Sequence, residues 1–142
     1  MKHGPSRRIR RDNMISSSVF DYVNVMNKAL DASWLRNETI ANNISNQSTP
    51  GYKRQDVDFE SALKQALQSS GYRTMDGKVG HIKLNRLEVG TYTDHANFSY
   101  RLDGNNVDPD TEFVELASNQ IKYQALQDSV NQEFALLKAA MK

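Results

Sequence analysis

The chain has no cysteine among its 142 residues. That excludes disulfide frameworks, thiolate nucleophiles and cysteine-ligated zinc, so packing and hydrogen bonds must hold the fold together. Long apolar runs are missing too, and nothing approaches the roughly 18 to 20 consecutive apolar residues of a membrane-spanning helix. The start lacks the apolar core of a cleavable secretory signal. Histidine is scarce: His3, His81 and His95 stand far apart, without ligand spacing. There is no phosphate-binding glycine loop, no Gly-x-Ser-x-Gly and no His-Glu-x-x-His. These absences leave no nucleophile, metal cage or phosphate cradle, and the reading is that the chain is not an enzyme and needs no cofactor.

What is present is ordinary in amount and uneven in placement. Hydrophobic residues make up 38% and charged residues 25%, with a formal net charge of +1. Residues 1–13 carry five basic side chains (Lys2, Arg7, Arg8, Arg10 and Arg11) against Asp12, while the remainder holds 13 basic and 16 acidic residues. The chain therefore divides into a basic, solvated extension and a mildly acidic body. The extension has no aromatic residue for base stacking. Its charge nevertheless keeps a rival reading open, a helical nucleic-acid-binding or regulatory module using the basic arm, although the acidic body opposes it.

Hydrophobic periodicity predicts a mainly α fold. In residues 14–46, Val19, Val23, Met26, Leu30, Trp34, Ile40 and Ile44 recur at helical spacing, with Phe20 and Ala41 alongside. Ser16, Ser17 or Ser18 is the expected N-cap, and Thr49, Pro50 and Gly51 end the segment. Ser33 and Asn37 interrupt the stripe where a strict zipper would carry aliphatics. Residues 109–142 form a second helix, with Phe113, Leu116, Gln120, Tyr123, Gln127, Val130, Phe134, Leu137 and Met141 as a near-heptad seam. Asp108 caps it, Pro109 suits its first turn, Asp110 and Glu112 meet its positive end, and Lys138 and Lys142 its negative end. Each segment would span ~50 Å, and two such helices naturally pair in a coiled-coil-like way. Residues 47–108 are expected to hold a turn, a short helix over 56–68, and an irregular or short β stretch in which Ile82, Leu84, Phe98, Tyr100 and Leu102 suggest a hairpin. This middle has too few apolar residues for a core of its own and must lean on the helices.

Two candidate sites fail on chemistry. Asp56, Asp58 and Glu60 form an acidic group best read as favouring a helix N-terminus. Asp103 to Asp108 has a calcium-loop flavour, but Asp108 stands where the sixth-position glycine belongs. That stretch reads better as a turn in which Gly104, Asn105 and Asn106 accept positive φ.

The richest segment is Ala41-Asn42-Asn43-Ile44-Ser45-Asn46-Gln47-Ser48-Thr49-Pro50-Gly51-Tyr52-Lys53. Physically, it ends a helix with amides, turns at Pro50-Gly51, and places Tyr52 against the segment that follows. It resembles the signature of bacterial flagellar rod and hook proteins, with Ser45, Gln47 and Ser48 where relatives often have alanine, alanine and aspartate. A second run, Asp103-Gly104-Asn105-Asn106-Val107-Asp108, then Glu112, then Asn119 to Leu126 with Gln120, Tyr123 and Gln124, resembles the C-terminal half of the proximal-rod members. The likeness spans Met14 to Lys142. It implies a structural subunit of the proximal rod, whose terminal helices pack into an axial tube that transmits torque and forms part of the export channel. Val19, Val23, Met26, Leu30, Ile40, Ile44, Phe113, Leu116, Val130, Phe134 and Leu137 would then be assembly faces. It also implies partners: other copies, other proximal rod proteins, the rod-base adaptor and MS ring, and the flagellar type III export apparatus. The place implied is the periplasmic basal body, reached without a cleaved signal peptide.

Overall fold

The computed structural model describes residues 14–82, 87–94 and 102–141, with side chains from residue 20 onward. The basic arm, Leu84, His95, Phe98, Tyr100, Lys142 and the side chain of Val19 lie outside the described residues. Two helices of 32 residues dominate, α1 (Met14–Ser45) and α4 (Pro109–Ala140). Between them come β1 (Gln55–Val57), α2 (Phe59–Ser69), α3 (Met75–Gly80) and β2 (Thr91–Thr93). The expected mainly α fold with a small β element is what forms. No described helix is long and apolar enough to cross a membrane.

Among the described elements, the pairing of α1 with α4 is the most extensive contact. It is antiparallel, because Asn43 reaches Glu112 while Ser33 and Asn37 reach Asn119. Continued along the helices, that register sets Val23 level with Val130, and both are buried. The interrupted stripe of α1 now has its explanation. Asn119 donates from Nδ2 to the carbonyl of Ser33 at 2.7 Å and to Asn37 Oδ1 at 2.9 Å, while Ser33 Oγ donates to Asn119 Oδ1 at 3.1 Å. A buried polar layer of this kind fixes register, since any slip would strand its amides without partners.

The seam of α4 differs from its sequence pattern in one row. Leu116, Tyr123, Val130 and Leu137 are buried or half-buried, but Phe113, Gln120, Gln127, Phe134 and Met141 are exposed in the single chain. Glu112, Asn119, Leu126 and Glu133 take the second row instead. Glu112 and Asn119 find hydrogen-bond partners on α1, and those bonds select the face that hydrophobicity alone assigns to the phenylalanines. On α1, Val23 and Ile40 are buried, whereas Met26, Leu30 and Ile44 are half-buried.

Three local readings need correction. The serines at 16–18 lie inside α1 rather than capping it, because serine is an adequate helix former and the winding begins at Met14. Asp56 belongs to β1, paired with Tyr92 across an antiparallel ladder, and the short helix starts three residues later behind Asp58, whose carboxylate accepts from Ser61 N at 3.0 Å. The suggested hairpin does not use Ile82 or Leu102: Ile82 follows α3 and Leu102 is a fully exposed turn residue. The two strands among the described residues are three residues each, too short to show an alternation. α3 went unanticipated because two of its six residues are glycine, and Thr74 supports it by accepting from Gly77 N.

The middle region leans on α1 as composition requires. Ala32 of α1 joins Val57, Phe59 and Leu87 in a buried cluster, flanked by Ala29, Leu35, Leu63 and Ala66. Ile40 is wholly buried. Ile40→Ala should lower unfolding free energy by about 2 to 5 kcal/mol, from lost transfer energy and a residual cavity. Urea unfolding followed by circular dichroism measures it, and a loss well under that range would mean the site collapses around the smaller side chain.

Candidate functional site

The last turn of α1 leaves backbone carbonyls without helical donors, and the chain must satisfy them from elsewhere. Asn46 begins locally, donating from Nδ2 to the carbonyl of Asn42 at 2.9 Å. Asn46 N and Gln47 N donate to the carbonyls of Asn43 and Ile44 at 3.1 and 3.3 Å, and the carbonyls of the turn that follows are met from a distant segment. Asn105, wholly buried, directs Nδ2 at the carbonyls of Asn46, Gln47 and Thr49, at 3.0, 3.1 and 2.9 Å. Its Oδ1 accepts from Val107 N at 2.8 Å, which fixes which end of the amide faces the turn. The two sequence motifs are thus the two halves of one junction.

Backbone and side-chain bonds close it. Gly51 N donates to the carbonyl of Asp103 at 2.9 Å, and Lys53 Nζ to the carbonyl of Gly104 at 2.7 Å. Arg54 N donates to Asn106 Oδ1 at 2.7 Å, and Asn106 Nδ2 to the carbonyl of Asp94 at 3.2 Å. Both glycines adopt positive φ, 73° at Gly51 and 75° at Gly104. Asn105 and Asn106, expected to share that conformation, do not, because their side chains already serve as caps and need ordinary backbone to reach. Asp103 accepts from Asn105 N at 3.1 Å, and Asp108 caps α4 by accepting from Asp110 N at 3.2 Å and Thr111 Oγ1 at 2.6 Å.

Beneath the turn lies a buried charge network that joins α1, β1 and α4. Asn43, wholly buried, donates from Nδ2 to the carbonyl of Gln55 at 2.7 Å and to Glu112 Oε2 at 3.0 Å. Its Oδ1 accepts from Gln55 N at 3.0 Å and from the Tyr52 hydroxyl at 3.3 Å, so Tyr52 turns back onto α1 rather than forward. Glu112, only 1% exposed, takes its other bond from Arg54 Nε. Arg54 also reaches Asp56 Oδ2 at 3.1 Å, and Arg36 links Asp56 at 3.0 Å to Glu115 at 3.1 Å. Burial by itself pulls Arg54 down, but the hydrogen bond and charge of Glu112, then Asp56, outweigh it and hold the guanidinium above its ordinary range. Burial, then the charge of Glu112, pushes the Tyr52 phenol up. Among the described residues no buried side-chain nitrogen or oxygen lacks a partner.

Of the motif residues, Asn43, Asn46, Thr49, Gly51, Tyr52, Lys53 and Asp103 to Asp108 converge here, while Asn42 and Pro50 sit exposed at its edge. Gln120 and Gln124 are elsewhere, exposed on α4, and Tyr123 is half-buried. Arg36, Arg54 and the buried role of Glu112 escaped sequence reading. The one available signal was Glu112 standing one position from the apolar seam. Among the described residues no cluster of three or more histidine, aspartate or glutamate side chains is arranged to hold a metal ion. The arrangement consumes its polar groups internally, as a structural clamp does.

Two substitutions probe the clamp. Asn105→Asp keeps the shape but faces three carbonyl oxygens with an acceptor, so it should destabilise more than Asn105→Ala, by about 1 to 3 kcal/mol beyond a lost bond. A Cβ at Gly51 would meet nothing within 4 Å, so its cost is conformational alone. Gly51→Ala should lose about 1 to 2 kcal/mol and Gly51→Val more. Thermal melting of the purified variants ranks them, and equal midpoints for wild type and Gly51→Val would refute the backbone argument.

Comparison with known proteins places this junction in context. Residues 25–53 match the family described as Flagella basal body rod protein, a span that runs from within α1 through the turn. The flagellar basal body rod protein FlgB of Bacillus subtilis (strain 168) is 35% identical over 117 residues, covering 82% of this chain and 89% of that protein. FlgB of Escherichia coli (strain K12) is 36% identical over 108 residues, covering 68% and 75%. FlgB of Cereibacter sphaeroides is 30% identical over 128 residues, covering 86% and 94%. With identity at this level sustained along most of both partners, the chain belongs to the flagellar basal body rod protein FlgB family.

Proposed function

We propose that this chain, a structural component of the flagellar basal body rod, builds the proximal part of the axial tube by packing its paired helices against neighbours. The observation that carries the reading is apolar surface left open on a helix already paired. Phe113, Val114, Ile121, Phe134, Leu136 and Met141 of α4 are all at least half exposed, although α1 covers another face of the same helix. So many large apolar side chains left open on one helix that is already packed on another face, in a chain of a rod-protein family, support burial against partners. Burial against further copies and other proximal rod proteins would remove it from water, at roughly 25 cal/mol per Å² of apolar area. Torque then passes through packed helices, and the tube forms part of the export channel. The rod-base adaptor and MS ring would meet the first copies. The chain would reach its periplasmic position through the flagellar type III apparatus, without a cleaved signal peptide, and it would act by contact rather than catalysis.

The test separates folding from assembly. Phe134 is half exposed, so Phe134→Asp should change the stability of the isolated chain by no more than about 0.5 kcal/mol. Export should persist while incorporation into isolated basal bodies is lost. Leu137→Asp should instead weaken the chain itself, because Leu137 lies in the row that packs toward α1. Basal bodies containing normal amounts of Phe134→Asp would overturn the proposal for that face.

A further inference from the structure

Behind the α1–α4 pair lies an apolar groove of about 360 Å³. Its floor is Ala29, Ala32 and Ser33 of α1, one wall is Phe59 and Leu63 of α2, and the other is Ala125, Leu126 and Ser129 of α4. The alanines and serines of floor and far wall allow another backbone to approach closely. Lys122 and Glu60 face each other across the groove at 2.8 Å, exposed to water and neutralising one another. Arg36, the third charged residue of the lining, is held by Asp56 and Glu115, so an uncharged occupant would bury no unpaired charge, and an exposed pair such as Lys122 and Glu60 opens at little cost.

The same chain carries a surface that fits those terms. Phe113, Gln120, Gln124, Gln127, Asn131 and Phe134 form an exposed stripe on α4 with no charged member. It runs ~31 Å, nearly six turns. Solvent-facing helix surfaces normally carry charge, so a neutral stripe with an aromatic knob at each end calls for a covering. At 3.6 residues per turn, the groove residues Lys122, Ala125 and Ser129 lie on the opposite side of α4 from this stripe.

We infer that the groove of one copy receives the neutral α4 stripe of the next copy. This rests on the rod reading and specifies which surfaces meet. The stripe carries no charge and the charged residues of the groove, Arg36, Glu60 and Lys122, are all paired within the chain, so an uncharged stripe strands none of them, whereas a charged one would be penalised by desolvation. Because donor and acceptor surfaces stand on opposite sides of one helix, a chain seated in its neighbour's groove still offers its own groove on the far side. The association is head-to-tail and does not close on itself as a pair, which is the geometry of an open assembly.

The absence of cysteine makes the test direct, since introduced thiols are unique among copies of this chain. The full chain carrying both Ser129→Cys and Phe134→Cys replaces the native copy in a flagellated host, and isolated basal bodies are treated with a short bismaleimide. The expected result is a ladder of dimers, trimers and higher products, lost when either cysteine is omitted. A second pair, Ala125→Cys with Gln127→Cys, guards against local damage from the first. A ladder from either pair supports the inference. Basal bodies that contain the variants but yield no ladder overturn it, as does a product that stops at dimer or one joining Ser129→Cys to a different rod protein. Those results leave the rod reading intact. Absence of the unaltered chain from basal bodies would sink the rod reading by itself, and the same cross-linking on concentrated purified chain would then decide the docking alone.

Discussion

A carboxylate buried to within 1% of its surface organises this molecule. Glu112 belongs to α4, yet its two oxygens are held by Asn43 of α1 and by Arg54 beside β1. Moving such a charge out of water costs several kcal/mol, and the fold recovers it only if all three elements arrive together. That condition makes the junction cooperative. Without Arg54 the carboxylate is unpaired, and without Asn43 the extended segment that carries Arg54 loses its anchor at Gln55. The positive φ at Gly51 and Gly104 follows from the same demand, since each turn must bring its segment within hydrogen-bond reach of the other.

Polar residues therefore do in this fold what aliphatics do in a simple helical hairpin. The α1–α4 interface contains Val23, Ile40 and Val130, but its register comes from Ser33, Asn37, Asn43, Glu112 and Asn119. Apolar contacts tolerate sliding by a turn, whereas a buried amide does not. A helix pair specified by polar layers can leave phenylalanines outside without losing its alignment. Those side chains then remain for other contacts.

Much of this was legible before any coordinates. The long helices announced themselves through spacing, the Asp108-Pro109 start of α4 through capping chemistry, and the stop of α1 through Pro50-Gly51. The interrupting Ser33 and Asn37 were visible as anomalies, though their partner was not, because nothing local links position 33 to Asn119. The row containing Phe113 and Phe134 was ranked by hydrophobicity, and Glu112 won the inner place through bonds to residues 58 and 69 positions away in the chain. Asp56 looked like a helix-starting acid for the same reason: its arginine partners, one on α1, declare themselves only after folding. Three-residue strands and a glycine-bearing single turn lie below what periodicity can detect.

The junction occupies only one end of the helix pair. α1 finishes there and α4 begins there, so the start of α1 and the finish of α4 lie toward the opposite end, where among the described residues no hydrogen-bonded layer like that of Asn43 and Glu112 joins the two helices. A pull applied to the start of α1 and the finish of α4 acts across the helix interface at that end and peels contacts in sequence rather than shearing them all at once. The Val23 and Val130 level parts first, the Ser33 and Asn119 layer next, and the Glu112 network last. A sideways load spread along both helices must break those layers together. The same hairpin is thus weak against being unzipped from its ends and strong against being bent, a difference in mechanical resistance set by where a single buried carboxylate sits.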